Sequence, residues 1–415
     1  MHKKYLYVLV LTLELFAVNG FGSGTSSVQD APASDTEPTT TPTPLSSTKL
    51  IDTIDTQTWE WFFPFRYGHY NPNGSIYNSG SDACSLLGID ATVEESSACD
   101  IYTLAHFKEA INRYNDYARS HDLPQFLTEG SLKLQAEELA AFLSNVSRET
   151  SGTWSSAPVE EGGWIEDDPL IGMPVWKGGL YWIEEIGHTT NPDGTVKDGG
   201  VSYVDESSVY APVENRSYHG RGPIQLSWNY NYGYFSQWLY ENDIYPEVIT
   251  AKDTLLYNPG LVSKDAVVAF LSAIWFWMTP QGNKPSAHEV MMGRVEHVSN
   301  SSDERGLPPL NNGENETIPI ALGESSDTDV IAYRFGTTIN IINGGIECDG
   351  AAAWHEGPPQ RASYYEAYTR YFNTRFQTQA TPTSVGYIAL EHVDDESNLT
   401  VQFATCYVQE AYGSL

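Results

Sequence analysis

Two features of this chain carry residue types that could do chemistry. The first is Glu149, three residues after Val146 at the end of an apolar stripe formed by Leu132, Ala136, Leu139, Leu143 and Val146. Steps of four and three are those of one helix face, so the spacing predicts a helix from about Glu129 to Arg148 that runs out toward Ser151 and Gly152. Glu149 then stands at the margin of the buried stripe, where a carboxyl group half withdrawn from water suits a general acid. The plainer alternative is a helix-end carboxylate paired with Arg148 or another arginine. The second feature is the run SYHGRGPIQLSWNYNYG from Ser217 to Gly233. Gly220, Gly222 and Pro223 favour a tight turn, after which Gln225, Ser227, Tyr230 and Asn231 present amide, hydroxyl and phenol groups among aromatic faces. Such a mixture hydrogen-bonds sugar hydroxyl or acetamido groups and stacks on pyranose rings; it also fits a purely structural aromatic turn. The run lacks the GK[ST] ending of a phosphate-binding loop and has no G-x-S-x-G elbow around Ser227. His106, His219 and His288 are scattered without an HExxH spacing, which argues against a zinc site.

These residues need a scaffold, and helical periodicity supplies most of it. Further helices are expected around 104 to 120, 264 to 278 and 357 to 375, with Trp275 and Trp277 as core or wall. Between about 152 and 220 the pattern breaks into Gly, Pro, Asp and Trp, and Gly200 to Val204 alternates as in a strand of a small hairpin. Alternation returns at Val385 to Leu390 and Leu399 to Cys406, which suggests a C-terminal hairpin. The expected class is mainly α with a minor β element.

Composition narrows the partners. The 415 residues hold 22 Lys and Arg against 54 Asp and Glu, a formal net charge of -32, which repels phosphate backbones and anionic lipid. No nucleic acid or membrane partner is expected, whereas 11 Trp, 26 Tyr and 15 Phe leave rings for a neutral, stackable ligand. His2-Lys3-Lys4 precedes an apolar run from Tyr5 to Val18, too short to cross a hydrocarbon core of roughly 30 Å, so residues 1 to 24 read as a secretory signal. Residues 25 to 48, rich in Ser, Thr and Pro, read as a disordered linker, and 49 to 415 as one catalytic-sized domain. An exported chain with four cysteines suggests two disulfides; pairing Cys84 with Cys99 and Cys348 with Cys406 closes each loop within one region, free buried thiols being the alternative.

The run Tyr218 to Gly233 resembles the signature of family 19 glycoside hydrolases, the plant-type and bacterial chitinases. Other segments agree in the family's order: Trp61 to Phe65, Tyr102 to Phe107, Ala140 to Trp154, Ala273 to Gln281 with Lys284 to His288, and Ile339 to Cys348. The resemblance spans about residues 55 to 375. It implies a bilobal, lysozyme-like helical domain that cleaves β-1,4-linked N-acetylglucosamine with inversion. On that resemblance Glu149 takes the place of the general acid. The family's base ends an aromatic-rich run opened by Gly, which puts it at Glu185 of Gly179-Leu-Tyr-Trp-Ile-Glu-Glu185, with Glu184 as its rival. Ser227 would hold the attacking water with Glu185. Gln225, Tyr230, Asn231 and Asn343 match substrate-contacting positions, and Glu347 with Arg361 matches the charged pair coupled to the acid. An inverting hydrolase needs its two carboxyls roughly 6.5 to 9.5 Å apart to admit a water, and glutamates on separate segments can meet that.

Three departures from the family pattern stand out. Arg148 replaces the usual His before the acid, Leu180 stands where the base segment usually carries an aromatic ring, and the stretch before the base is lengthened. That insertion, about 158 to 177, carries Glu160, Glu161, Glu166, Asp167 and Asp168 and reads as a solvated acidic loop; about 377 to 415 is a C-terminal extension. The functional expectation is a secreted, monomeric endo-chitinase acting on chitin or chito-oligosaccharide without a cofactor or metal. A peptidoglycan hydrolase of the same fold and a non-catalytic chitin-binding protein are the alternatives. A sequon at Asn145, one turn before Glu149, is expected to stay unglycosylated.

Overall fold

Three helices of 20 residues, Leu132–Ser151, Thr328–Glu347 and Gly357–Phe376, carry Glu149, Glu347 and Arg361, and the remaining elements pack around them. The structure is a computed structural model, and it describes residues 49–64, 66, 99–151, 164–185, 202–296, 305–310, 321–348, 357–383 and 398–412. The expected signal segment and linker, and Cys84, lie outside these residues.

In chain order the elements are α1 (Leu50–Thr53), α2 (Thr56–Phe62), α3 (Leu104–Ser120), α4 (Leu132–Ser151), β1 (Trp164–Asp168), β2 (Met173–Trp176), α5 (Asn229–Glu241), α6 (Thr254–Tyr257), α7 (Leu261–Lys264), α8 (Ala266–Met278), α9 (Ala287–Met291), α10 (Thr328–Glu347), α11 (Gly357–Phe376) and α12 (Leu399–Ala404). The mainly α class is as expected. Local chemistry sets the starts of these helices: Thr103 accepts from His106 N, Asp265 from Val267 N and Val268 N, and Asp327 from Asp329 N, each satisfying a donor that the first turn leaves open. Helix α4 is buried on nearly every face, so its polar residues turn inward on the backbone, as when Ser144, Asn145 and Thr150 donate to carbonyls four residues back. It packs most extensively on α11, while α3 packs on α8 and α10 on α12. Trp277 and Trp275 are both buried in the core.

The helix expected around 264 to 278 is α8, which starts at Ala266 because Asp265 adopts an extended backbone and caps it. Three expectations are corrected. The β-hairpin among the described residues is formed by β1 and β2, antiparallel within the insertion, and Ser202 to Val204 are not in a strand; Gly200 and Val201 lie outside the described residues. Ser202 and Tyr203 spend their carbonyls on Tyr218 N and Asn229 N, and Tyr203 sits at φ 49°, a left-handed conformation that a strand does not admit. The expected solvated acidic loop is corrected at Asp168, while Glu160 and Glu161 lie outside the described residues. Asp168 is buried, 2.7 Å from Lys177 Nζ, and accepts from Trp61 Nε1 while Lys177 lies over the Trp61 ring. Leu399 to Ala404 is a helix rather than a strand, since Asn398 caps it by accepting from Thr400 N and Val401 N; Val385 to Leu390 lies outside the described residues. Cys348 and Cys406 are joined as expected, tying the end of α10 to the turn after α12, and Cys99 is also disulfide-bonded.

Candidate active site

Helix α4 delivers Glu149 to the margin of the core with its side chain 19% exposed, and α11 answers it with Arg361 from within the core. Arg361 Nη2 donates to Glu149 Oε1 at 2.6 Å and to Glu347 Oε1 at 2.7 Å; Nε donates to Glu347 Oε2 at 2.9 Å. Nη1 donates to the side chain and carbonyl of Asn145. One fully buried guanidinium thus holds both carboxylates and has its own donors satisfied. Burial alone would raise the pKa of Glu347, but the charge and hydrogen bonds of Arg361, with Arg148 and Asn343, together outweigh it and hold Glu347 below its ordinary value. Asn343 donates to Glu347 Oε1 at 2.8 Å from a kink in α10 at φ -143°. Gly357 opens α11 directly over Glu347: a Cβ there would come within 2.8 Å of its carboxyl carbon. Arg148 is half-buried, and its Nε is withdrawn from water with no partner among the described residues. Asn145 is itself fully buried, which leaves its sequon no room for a glycan.

The segment from Gly179 to Glu185 is locked to the end of α4. A Cβ on Gly179 would fall 2.5 Å from Ser147 Oγ, so only glycine lets the backbones meet. Leu180 turns left-handed at φ 59° with its side chain fully buried, and its N–H donates to Thr150 Oγ1 at 2.7 Å. Trp182 N donates to the Thr150 carbonyl at 2.8 Å. The segment then pairs with the signature turn, Glu185 N donating to Gly220 O and Gly222 N to Ile183 O. In such an extended stretch successive side chains point to opposite faces, and this separates the two rival glutamates.

Glu184 points inward and is 0% exposed. It accepts from Arg221 Nε at 3.1 Å and Ser263 Oγ at 2.6 Å, with His219 Nε2 at 3.3 Å. Burial would raise its pKa, yet Arg221 and then His219 bring it down to about 2. His219 is pulled below its ordinary value, first by burial and then by Arg221. Glu184 is therefore a core ion whose neighbours leave it no access to a substrate water. Glu185 points the other way and is half-buried; Tyr203 donates to its Oε1 at 2.7 Å and Gly220 N to its Oε2 at 3.2 Å.

Beyond the turn, Ser227, Trp228, Tyr230 and Asn231 are all partly exposed on the run into α5. Trp228 and Tyr230 stack at 6.0 Å, Asn231 donates to Ser227 O, Ser227 Oγ to Gln225 O, and Gln225 Nε2 to Gly222 O. Gln225 and Trp228 are left-handed at φ 51° and 75°, so with Leu180 and Tyr203 four non-glycine residues of this region hold a sparsely populated backbone. Such conformations persist only where the surroundings over-determine them, and they cluster at functional sites. The structure thus gathers Glu149, Glu347, Arg361 and Asn343 into one cluster, and Glu185, Gln225, Ser227, Tyr230 and Asn231 around one turn. The sequence reading missed Thr150, Asn145, Arg221 and Tyr203. Arg221 could have been suspected from a cation fixed between two glycines of the signature; the others carry no local signal. Chemically, the arrangement offers one carboxyl held by a shared arginine and a second on a separate segment held by a phenol and an amide. Two such carboxyls can serve opposite sides of one bond.

Comparison with known proteins shows which family the chain belongs to. The family model described as chitinase class I, of glycoside hydrolase family 19, matches residues 187–312, which takes in the signature and leaves Glu149 and Glu185 outside the matched span. An endochitinase of Carica papaya is 34% identical over 255 residues, covering 61% of this chain and 77% of its own length. An inactive chitinase-like protein 1 of Hevea brasiliensis is 33% identical over 60% of this chain and 59% of its own. Among solved structures, the class IV family 19 chitinase of Zea mays aligns with a TM-score of 0.37 at 23% identity, over 72% of this chain and 94% of that one. The chain belongs to the family 19 glycoside hydrolases, the chitinase class I family.

Proposed function

We propose that this protein is a secreted endo-chitinase that hydrolyses β-1,4-linked N-acetylglucosamine polymers in one inverting displacement. In this reading Glu149 gives its proton to the glycosidic oxygen as the C1–O bond breaks. Glu185 takes a proton from a water that Ser227 helps to hold, and the water attacks C1 from the opposite face, so that a β-linkage yields an α-anomer. Gln225, Tyr230, Asn231 and Asn343 contact the sugar, while Glu347 and Arg361 govern the acid. The enzyme acts as a monomer with no cofactor, its domain spanning 49–415 behind a cleaved signal at 1–24 and a linker at 25–48.

The observation that carries this reading is the pair of differently held carboxylates, Glu149 on Arg361 and Glu185 under Tyr203 and Gly220 N. Family membership supports the substrate class, and the presence of both glutamates favours turnover over mere binding, although one relative is named inactive. The charge of -32 disfavours anionic cell walls as substrate. The test is to incubate the protein with chitin and, separately, with bacterial cell walls. Soluble N-acetylglucosamine oligomers from chitin support the reading; clearing of the walls without release from chitin refutes it and points to a peptidoglycan hydrolase.

A further inference from the structure

Tyr203 has no place in the mechanism above, yet several features converge on it. Its hydroxyl donates to Glu185 Oε1 at 2.7 Å. Burial first, and then the bond to Glu185, holds the phenol well above its ordinary pKa, so it remains a donor throughout the working range. Its ring stands edge-on to Trp228 at 5.5 Å and 83°, and Trp228 stacks on Tyr230. Its carbonyl accepts from Asn229 N at the entry to α5. The backbone holds φ 49°, a conformation that aromatic residues rarely adopt and that aims this phenol at the carboxylate. The signature segment thus holds Tyr203 by its ring and its carbonyl, and its hydroxyl reaches Glu185, 18 residues earlier in the chain.

We propose that Tyr203 is a positioning residue for the base: it fixes the Glu185 carboxylate in the orientation from which it takes a proton from water, and ties that orientation to the Trp228–Tyr230 face. The assignment rests on the reading of Glu185 as base. Gly220 N anchors the other oxygen, so the phenol and the amide together remove the rotation that either bond alone would leave. Tyr203 acts through Glu185 and needs no contact with substrate.

Tyr203→Phe keeps the ring against Trp228 and deletes only the hydroxyl. In steady-state hydrolysis of chito-oligosaccharide by the full chain, the expected result is a fall in kcat of about tenfold or more with KM within about twofold, because misplacing a catalytic group costs turnover rather than binding. The thermal midpoint reads folding separately and is expected to stay close to that of the wild type. A double-mutant cycle closes the test: in the Glu185→Gln background, Tyr203→Phe is expected to change the residual rate less than about twofold, since a residue acting only through Glu185 has nothing left to position. Wild-type kcat in Tyr203→Phe, with Glu185→Gln inactive, overturns the proposal and leaves the base assignment standing. An equal further loss in the double variant also overturns it, by showing a general structural role. Full activity of Glu185→Gln overturns both together.

Discussion

The hydroxyl of Thr150 accepts the backbone N–H of Leu180 at 2.7 Å, joining the helix of the proposed acid to the segment of the proposed base. The Thr150 carbonyl adds a second bond, from Trp182 N at 2.8 Å, so the spacing of the two carboxylates depends on one residue adjacent to Glu149 in sequence. Thr150→Val keeps the shape and strands the buried Leu180 N–H. The expected cost is about 1 to 3 kcal/mol in urea unfolding, with kcat falling further than the loss of folded protein explains.

Glu184 and Glu185 are neighbours whose side chains face opposite ways, and their glutamine variants are expected to fail differently. Glu184→Gln leaves Arg221 buried without its carboxylate and is expected to cost about 3 to 5 kcal/mol. Glu185→Gln is expected to unfold within about 1 kcal/mol of wild type, as for substitutions away from buried networks, and to lose turnover. The pH dependence follows from the depressed pKa of Glu184, about 2 in the fold. Its stabilisation is fully present above the unfolded value of about 4.5 and is lost as pH falls from there through 2. Acid unfolding curves of Glu184→Gln are therefore expected to be flatter than those of the wild type over that window.

Arg361 is the hub between Glu149, Glu347 and Asn145. Arg361→Gln strands the buried Glu347 and is expected to cost about 3 to 5 kcal/mol. Arg361→Lys keeps the charge but lacks the planar fork that reaches three partners at once. It is expected to recover part of the stability, measured by denaturant midpoint, and little of the kcat.

The reading of the sequence reached the residues whose signals are local and stopped where signals become tertiary. Helix α3 was legible because its apolar residues recur at helical steps; Glu149 was legible because it ends such a stripe. The hairpin of β1 and β2 was misread as a solvated loop although Asp-Pro and a left-handed Gly172 mark its turn. Its buried Asp168 pairs with Lys177 nearby but also accepts from Trp61, over 100 residues away, a contact that no local pattern announces. Leu399, Val401 and Phe403 alternate as in a strand, and a helix of six residues is too short to show its own period. Glu185 was preferred to Glu184 on the family resemblance alone, because composition and periodicity do not reveal which of two adjacent side chains faces Arg221.

A second buried network gives a signature on the alkaline side. His288 contacts Glu138 at 2.7 Å and Glu129 at 3.6 Å, while Trp277 donates to Glu138 and Arg294 pairs with Glu129. Burial disfavours a charged His288, but Glu138 and Glu129 overcome it and raise its pKa to about 9. A raised value contributes stability that is fully present below the unfolded value of 6.5 and is lost as pH rises through 9. Wild-type stability is expected to decline across that window, and His288→Gln to remove most of the decline, as read from thermal midpoints at pH 6, 8 and 10.

The central claim is an inverting hydrolysis that uses Glu149 and Glu185, and the anomer formed at the first moment of cleavage tests it most directly. Proton NMR of N-acetylglucosamine oligomers immediately after mixing is expected to show fresh α-anomer from the wild type and none from folded Glu149→Gln or Glu185→Gln. Fresh β-anomer, or undiminished cleavage by either variant, would contradict the account.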